Sequence, residues 1–289
     1  MGSSAFCKEL GELRKERAVA NSHFAAIDGC DVHWIDEGYA NGLPAVLLLS
    51  AQWLGASHFD AFAERLGERT RVVRLDLPGH GLSGAFGDED YCAARYASLV
   101  RAFVEHRGLG SHVLVGQSHS GIPACLLAAE STGGMAGLVL ATSSGMPRDR
   151  AVPAGSPQVA LHRTGSMNWY ADRLRGLFKR PHSPTEFGAI AAAARDYGEL
   201  PGREAESALR LRHFEPDLLA RTLPRVAVPA LVLWSEASTY LPAAMAEAIA
   251  ALLPDCRGRT VIHDTGHLLL ADAPRDAADL ILAFLETLA

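Results

Sequence analysis

The chain has 289 residues, enough for one large α/β domain with an insertion or for two ordinary domains, and it can bury a substantial core. With 48% hydrophobic and 21% charged residues and a formal net charge of −6, it has the composition of a globular protein and no basic stripe, which argues against a nucleic-acid binder. The five cysteines (Cys7, Cys30, Cys92, Cys125 and Cys256) are scattered without C-x-x-C spacing, so neither a disulfide framework nor a zinc site is indicated.

The N-terminus lacks the charged-then-apolar layout of a secretion signal, and no apolar run approaches the roughly 20 residues that span a bilayer. A soluble, cytoplasmic protein with no membrane contact is expected. Phe6 to Ala20 is rich in charged residues and alanine, with Leu10 and Leu13 on one face, and reads as a short amphipathic helix that either packs on the domain or meets a second copy. Residues 1–22 are therefore set aside as a tail or helix.

From Phe24 onward, short apolar strands alternate with helical segments, the pattern of βαβ units and a mostly parallel sheet. Buried strands are expected at Ala45–Ser50 and Arg71–Leu75, with a helix between them at Phe59–Leu66. A longer amphipathic helix at Tyr91–Arg107 precedes a strand at Ser111–Val115, and another strand follows at Gly137–Ala141. These elements form the first part of an α/β core, residues 23–145. Between 146 and 224 the strand signal disappears, replaced by Pro and Gly punctuation and helical stretches at Asn168–Phe178, Glu186–Tyr197 and Arg203–Phe214, which reads as an inserted helical cap. The core resumes over 225–289 with strands at Pro229–Trp234 and Arg259–His263 and helices at Ala243–Leu252 and Ala273–Leu288.

Chemistry concentrates at Val113-Leu114-Val115-Gly116-Gln117-Ser118-His119-Ser120-Gly121. An apolar strand that breaks on glycine, presents one serine and breaks on glycine again has the layout of a nucleophile elbow, with Ser118 as nucleophile. The pattern G-x-S-x-G holds Ser120 at its fifth position, another small residue, with the glycine moved to Gly121. A serine hydroxyl needs a base to take its proton. His267, in Asp264-Thr265-Gly266-His267 after the last expected strand, stands where loops converge at the carboxyl edge of a parallel sheet.

With the turn Asp76-Leu77-Pro78-Gly79-His80-Gly81-Leu82-Ser83, these signatures occur in the order and on the elements that resemble the α/β-hydrolase superfamily, over Phe24 to Ala289. Within it the chain looks like a lid-bearing member, similar to enol-lactonases, meta-cleavage-product hydrolases and small esterases. The resemblance implies an α/β-hydrolase fold, no cofactor, no metal, and a small-molecule substrate of apolar or aromatic character handled by a monomer or homodimer. It also implies an oxyanion hole made by the backbone N–H of His119 with one from Gln52 or Trp53. Trp53 is a candidate pocket wall, or else packs under the cap.

The triad acid departs from the family pattern. An aspartate is expected where this chain has Ser238, and the other family location offers Ala141-Thr142-Ser143-Ser144, without a carboxylate. Glu236 is the nearest substitute and the candidate to orient His267, against the alternative of a solvated loop charge. Two further readings follow. His119 directly after Ser118, with Trp169 in the cap, is similar to cofactor-free 2,4-dioxygenases of the same fold, in which the late histidine acts as base and the serine only positions substrate. A binding protein that keeps the fold without the chemistry is the third.

Overall fold

The computed structural model describes residues 9–51, 54–130, 133–147 and 167–288, and of residues 167–169 the backbone alone. In chain order it shows α1 (Leu10–Arg17), β1 (Ser22–Ile27), β2 (Cys30–Glu37), β3 (Ala45–Leu49), α2 (Asp60–Gly67), β4 (Val72–Asp76), α3 (Ala93–Arg107), β5 (His112–Gln117), α4 (Gly121–Glu130) and β6 (Met135–Ala141). Helices α5 (Met167–Arg175), α6 (Pro184–Gly198), α7 (Arg203–Arg212) and α8 (Leu218–Thr222) follow. The chain closes with β7 (Ala230–Ser235), α9 (Ala244–Leu252), β8 (Cys256–Ile262), α10 (Leu269–Asp272) and α11 (Pro274–Glu286).

The strands form one eight-stranded sheet in the order β1-β2-β4-β3-β5-β6-β7-β8. From β4 to β8 every pairing is parallel, and the β1–β2 hairpin is added antiparallel at one edge. This is the α/β-hydrolase fold. Its central strands are buried on both faces, which is why they read as continuous apolar runs rather than alternating ones. Within them the two-residue period still sorts the side chains. Val46, Leu48, Val113, Val115, Val139, Leu231 and Leu233 pack with Phe62, Leu66 and Ile281 of α2 and α11. Leu47, Leu49, Leu114, Leu138, Leu140, Val232 and Trp234 pack on the opposite face with Leu99, Phe103, Ala124 and Ile249 of α3, α4 and α9.

Sequence and structure differ in three places. The β1–β2 hairpin is new: it turns on Asp28-Gly29, both at positive φ (50° and 74°), the two-residue geometry whose twist suits paired strands. The expected closing helix is α11, which starts on Pro274, and an unexpected short helix, α10, precedes it; the two stay separate because proline fits the first turn of a new helix but not the interior of a running one. Helix α1 is shorter than expected and is held by its own chain: Leu13 packs with Leu82, Ala193, Tyr197 and Leu200, and Arg14 Nε donates to the Leu82 carbonyl at 2.9 Å. No helix among the described residues is long and apolar enough to cross a membrane.

Candidate active site

Ser118 stands between β5 and α4 in the left-handed region, at φ 56°, a conformation that side chains other than glycine adopt at a cost of about 1 kcal/mol or more. Tight packing on both sides holds it there. A Cβ on Gly116 would come within 2.6 Å of the Gly121 Cα, and one on Gly121 would run into the Ser143 hydroxyl. Position 120 does admit a side chain: the Ser120 hydroxyl accepts from the Gln117 N–H at 3.0 Å and so closes the turn itself.

His267 is delivered from the loop after β8, and its Nε2 lies 2.9 Å from Ser118 Oγ. The loop is fastened by a buried carboxylate. Asp272 accepts the backbone N–H groups of Gly266 (2.6 Å), Lys179 (2.9 Å) and Arg180 (3.1 Å), and His182 Nε2 lies 3.2 Å away. Leu268 N–H donates to the Leu177 carbonyl at 3.2 Å, and a Cβ on Gly266 would collide with that carbonyl. Gln117, next to Ser118, accepts the Leu270 N–H at 3.1 Å, so elbow and histidine loop are tied directly to one another.

At the far nitrogen of the imidazole, His267 Nδ1 lies 3.1 Å from Ser238 Oγ, which also accepts the Leu241 N–H at 3.2 Å. A hydroxyl oxygen has two acceptor positions, so Ser238 can take both the Leu241 N–H and an Nδ1–H. In the tautomer whose Nδ1–H donates to Ser238, Nε2 is the acceptor facing Ser118, as a general base requires. The Tyr240 ring packs against the imidazole with centroids 5.1 Å apart.

The motif around Asp76 is a corner beside this site. Asp76 accepts from the N–H groups of Ala56 (2.7 Å) and Leu82 (2.9 Å) and lies 2.7 Å from His33 Nδ1, and a Cβ on Gly81 would strike the carboxylate. The turn thereby fixes the chain just after residues 52 and 53. His119 follows Ser118 with its ring edge-on to Tyr96, centroids 5.6 Å apart. Burial, and after it the positive charge of Arg210, pushes His119 down to about 4, so the ring is neutral near pH 7.

The sequence profile described as the alpha/beta hydrolase family matches residues 46–280. The chain belongs to this family. Relatives within the alpha/beta hydrolases include haloalkane dehalogenase 2 of Mycobacterium tuberculosis, 26% identical over 272 residues, which cover 88% of this chain and 91% of the dehalogenase. Solved alpha/beta hydrolases with the same fold include a membrane phospholipase A (TM-score 0.80, 24% identity, 96% of this chain and 91% of that one). The enol-lactonase of Burkholderia xenovorans LB400 gives a TM-score of 0.75 at 20% identity, covering 91% of this chain and all of that one.

Among the alpha/beta hydrolase residues expected from sequence, Ser118, His267 and His119 come together. Glu236 does not join them as the orienting acid. It is exposed, lies 2.8 Å from His263 Nδ1 and accepts the Asp264 N–H at 3.1 Å, so it binds the loop where it leaves β8; those two bonds hold its carboxyl below the usual range. The place at His267 Nδ1 is taken by Ser238, two residues further on. Gln52 and Trp53 lie outside the described residues, and Trp169 is described only as backbone within α5. Sequence reading assigned no role to Gln117, Asp272 or Tyr240, whose relevance depends on contacts between segments distant in the chain.

Proposed function

We propose that the chain is a serine hydrolase that cleaves a small carboxylic ester, thioester or lactone through an acyl-enzyme on Ser118. The observation that carries this reading is the 2.9 Å approach of Ser118 Oγ to His267 Nε2 on an elbow that holds the serine at positive φ. In the first half-reaction Nε2 takes the hydroxyl proton as Oγ bonds to the acyl carbon. The bond to the leaving oxygen or sulfur breaks, and the proton passes from Nε2 to that atom. In the second half-reaction water repeats the sequence: His267 takes its proton, the hydroxide oxygen bonds to the acyl carbon, and Ser118 Oγ leaves with the proton. The amide of His119 is the expected donor to the oxyanion, with a second from Gln52 or Trp53. Ser238 serves as the positioning residue that keeps the imidazole in the reactive tautomer.

A fluorophosphonate followed by intact-mass measurement tests the reading. One adduct that disappears in Ser118→Ala and His267→Ala is expected. A wild-type protein that stays unmodified and inert toward activated esters would overturn acylation, and oxygen uptake with a hydroxyquinolone would then favour base catalysis by His267 alone.

A further inference from the structure

Arg210 on α7 is only 5% exposed, yet its Nε and Nη1 are buried without a hydrogen-bond partner. A guanidinium taken out of water is normally matched by acceptor oxygens and an opposite charge. The carboxylate one turn earlier on the same helix is already committed: Glu206 accepts from Arg203 Nη1 at 2.8 Å. Arg203 in turn donates to the carbonyls of Gly81 (3.2 Å) and Ser83 (2.7 Å), fastening α7 onto the Asp76 corner. Arg210 lies over the Tyr91 ring, 5.9 Å from its centroid, and its Nη1 would lie 2.6 Å from a Cβ at Gly79, so the guanidinium rests against the same corner.

This group reaches the surroundings of Ser118 through Tyr96, which hydrogen-bonds it and packs on His119. Its positive charge bears on His80 and on His119, the residue after Ser118, and both rings stand edge-on to Tyr96, at 6.3 and 5.6 Å. Burial and that charge keep both histidines neutral. His80 Nε2 is also buried without a partner. A buried cation with unused donors therefore adjoins the elbow.

We propose that Arg210 receives a carboxylate carried by the substrate, so that the ester or lactone opened at Ser118 is an anionic one. This rests on the reading of Ser118 as the nucleophile. Tyr96 hydrogen-bonds the guanidinium and Glu206 lies nearby, and a substrate carboxylate would supply acceptor oxygens for the Nε and Nη1 donors that remain, with a charge beyond the one Glu206 shares with Arg203.

Matched esters test it: 4-nitrophenyl pentanoate against the mono-4-nitrophenyl ester of glutaric acid, which differ by a terminal carboxylate. Wild type is expected to favour the carboxylated ester in kcat/KM by about tenfold or more, mainly through KM. In Arg210→Met that ratio falls to near one, and Arg210→Lys retains part of it. Because the readout is a ratio within each variant, a general loss of activity does not imitate it. Should Arg210→Met fail to fold, free glutarate with wild type decides: it should inhibit pentanoate hydrolysis and raise the unfolding temperature, while glutaramide should do neither. A wild type without preference for the charged ester, or an Arg210→Met protein that keeps the preference, overturns the inference. Fluorophosphonate labelling of Ser118 separates the two claims. Labelling without carboxylate preference defeats this inference alone; absent labelling defeats the serine reading and leaves the glutarate arm to decide Arg210.

Discussion

Ser238 Oγ lies 3.1 Å from His267 Nδ1, so a hydroxyl stands at the nitrogen of the imidazole that faces away from Ser118. This hydroxyl can accept an Nδ1–H and carries no negative charge of its own. Geometry and charge, which a buried aspartate provides together, are here separated. The enzyme is accordingly expected to be correctly arranged but slow.

Ser238→Asp should then raise kcat on an activated ester by on the order of tenfold or more, about 1.4 kcal/mol of transition-state stabilisation per tenfold. The acid limb of its pH–rate profile should move to higher pH, since an adjacent anion favours the protonated imidazole. Ser238→Ala should lower kcat with little change in KM. Steady-state kinetics across pH reads all three, and an unchanged kcat in both variants would show that Nδ1 needs no partner.

Gly266→Ala places a methyl group against the Leu177 carbonyl and pushes the loop that carries His267. A displacement of about 1 Å at a catalytic group is enough to reduce turnover on the order of a hundredfold. Far-UV circular dichroism should stay close to wild type while the fluorophosphonate reacts much more slowly. Equal labelling rates would mean that the loop yields without moving the imidazole.

Asp272→Asn replaces a buried carboxylate oxygen by an NH2 group facing backbone N–H donors. Disrupting bonds to a charged acceptor costs about 2–3 kcal/mol, which should lower Tm by on the order of 3–5 °C in a chain of this length. Because Gly266 is one of those donors, activity should fall more steeply than Tm, and parallel assays at 20 °C separate the two effects.

Acid should destabilise the fold through its histidines. His58, His80, His112 and His119 are all held below the ordinary value of 6.5, chiefly by burial. Each folded-state ring stays neutral while its unfolded counterpart takes up a proton, so their contribution is complete above about 6.5 and is lost as pH falls, for His119 down to about 4. Urea midpoints should drop between pH 7 and 5, and less steeply in His119→Gln. A midpoint independent of pH over that interval would contradict the buried neutral rings.

The parallel strands were legible because central strands must be apolar on both faces, and the elbow because crowding leaves no room for a side chain at Gly116 and Gly121 on either side of Ser118. His267 followed from its place after the last strand. The edge hairpin was marked by Asp28-Gly29, though its strands alternate weakly. The role of Ser238 was hidden because serine is common in loops and nothing local shows which nitrogen its hydroxyl meets. Arg210 looked like one more charge on a polar helix: only packing shows that α7 turns this residue inward, against the Asp76 corner.

The bond between Gln117 and Leu270 bears on how the protein is born. A nascent chain that has emerged only through β7 has Ser118 but neither His267 nor the bond that ties its loop to Gln117, so under the proposed mechanism it would be chemically silent. Under the proposed mechanism competence waits on the residues that follow β7, and proteolytic loss of that stretch would extinguish it while sparing most of the sheet.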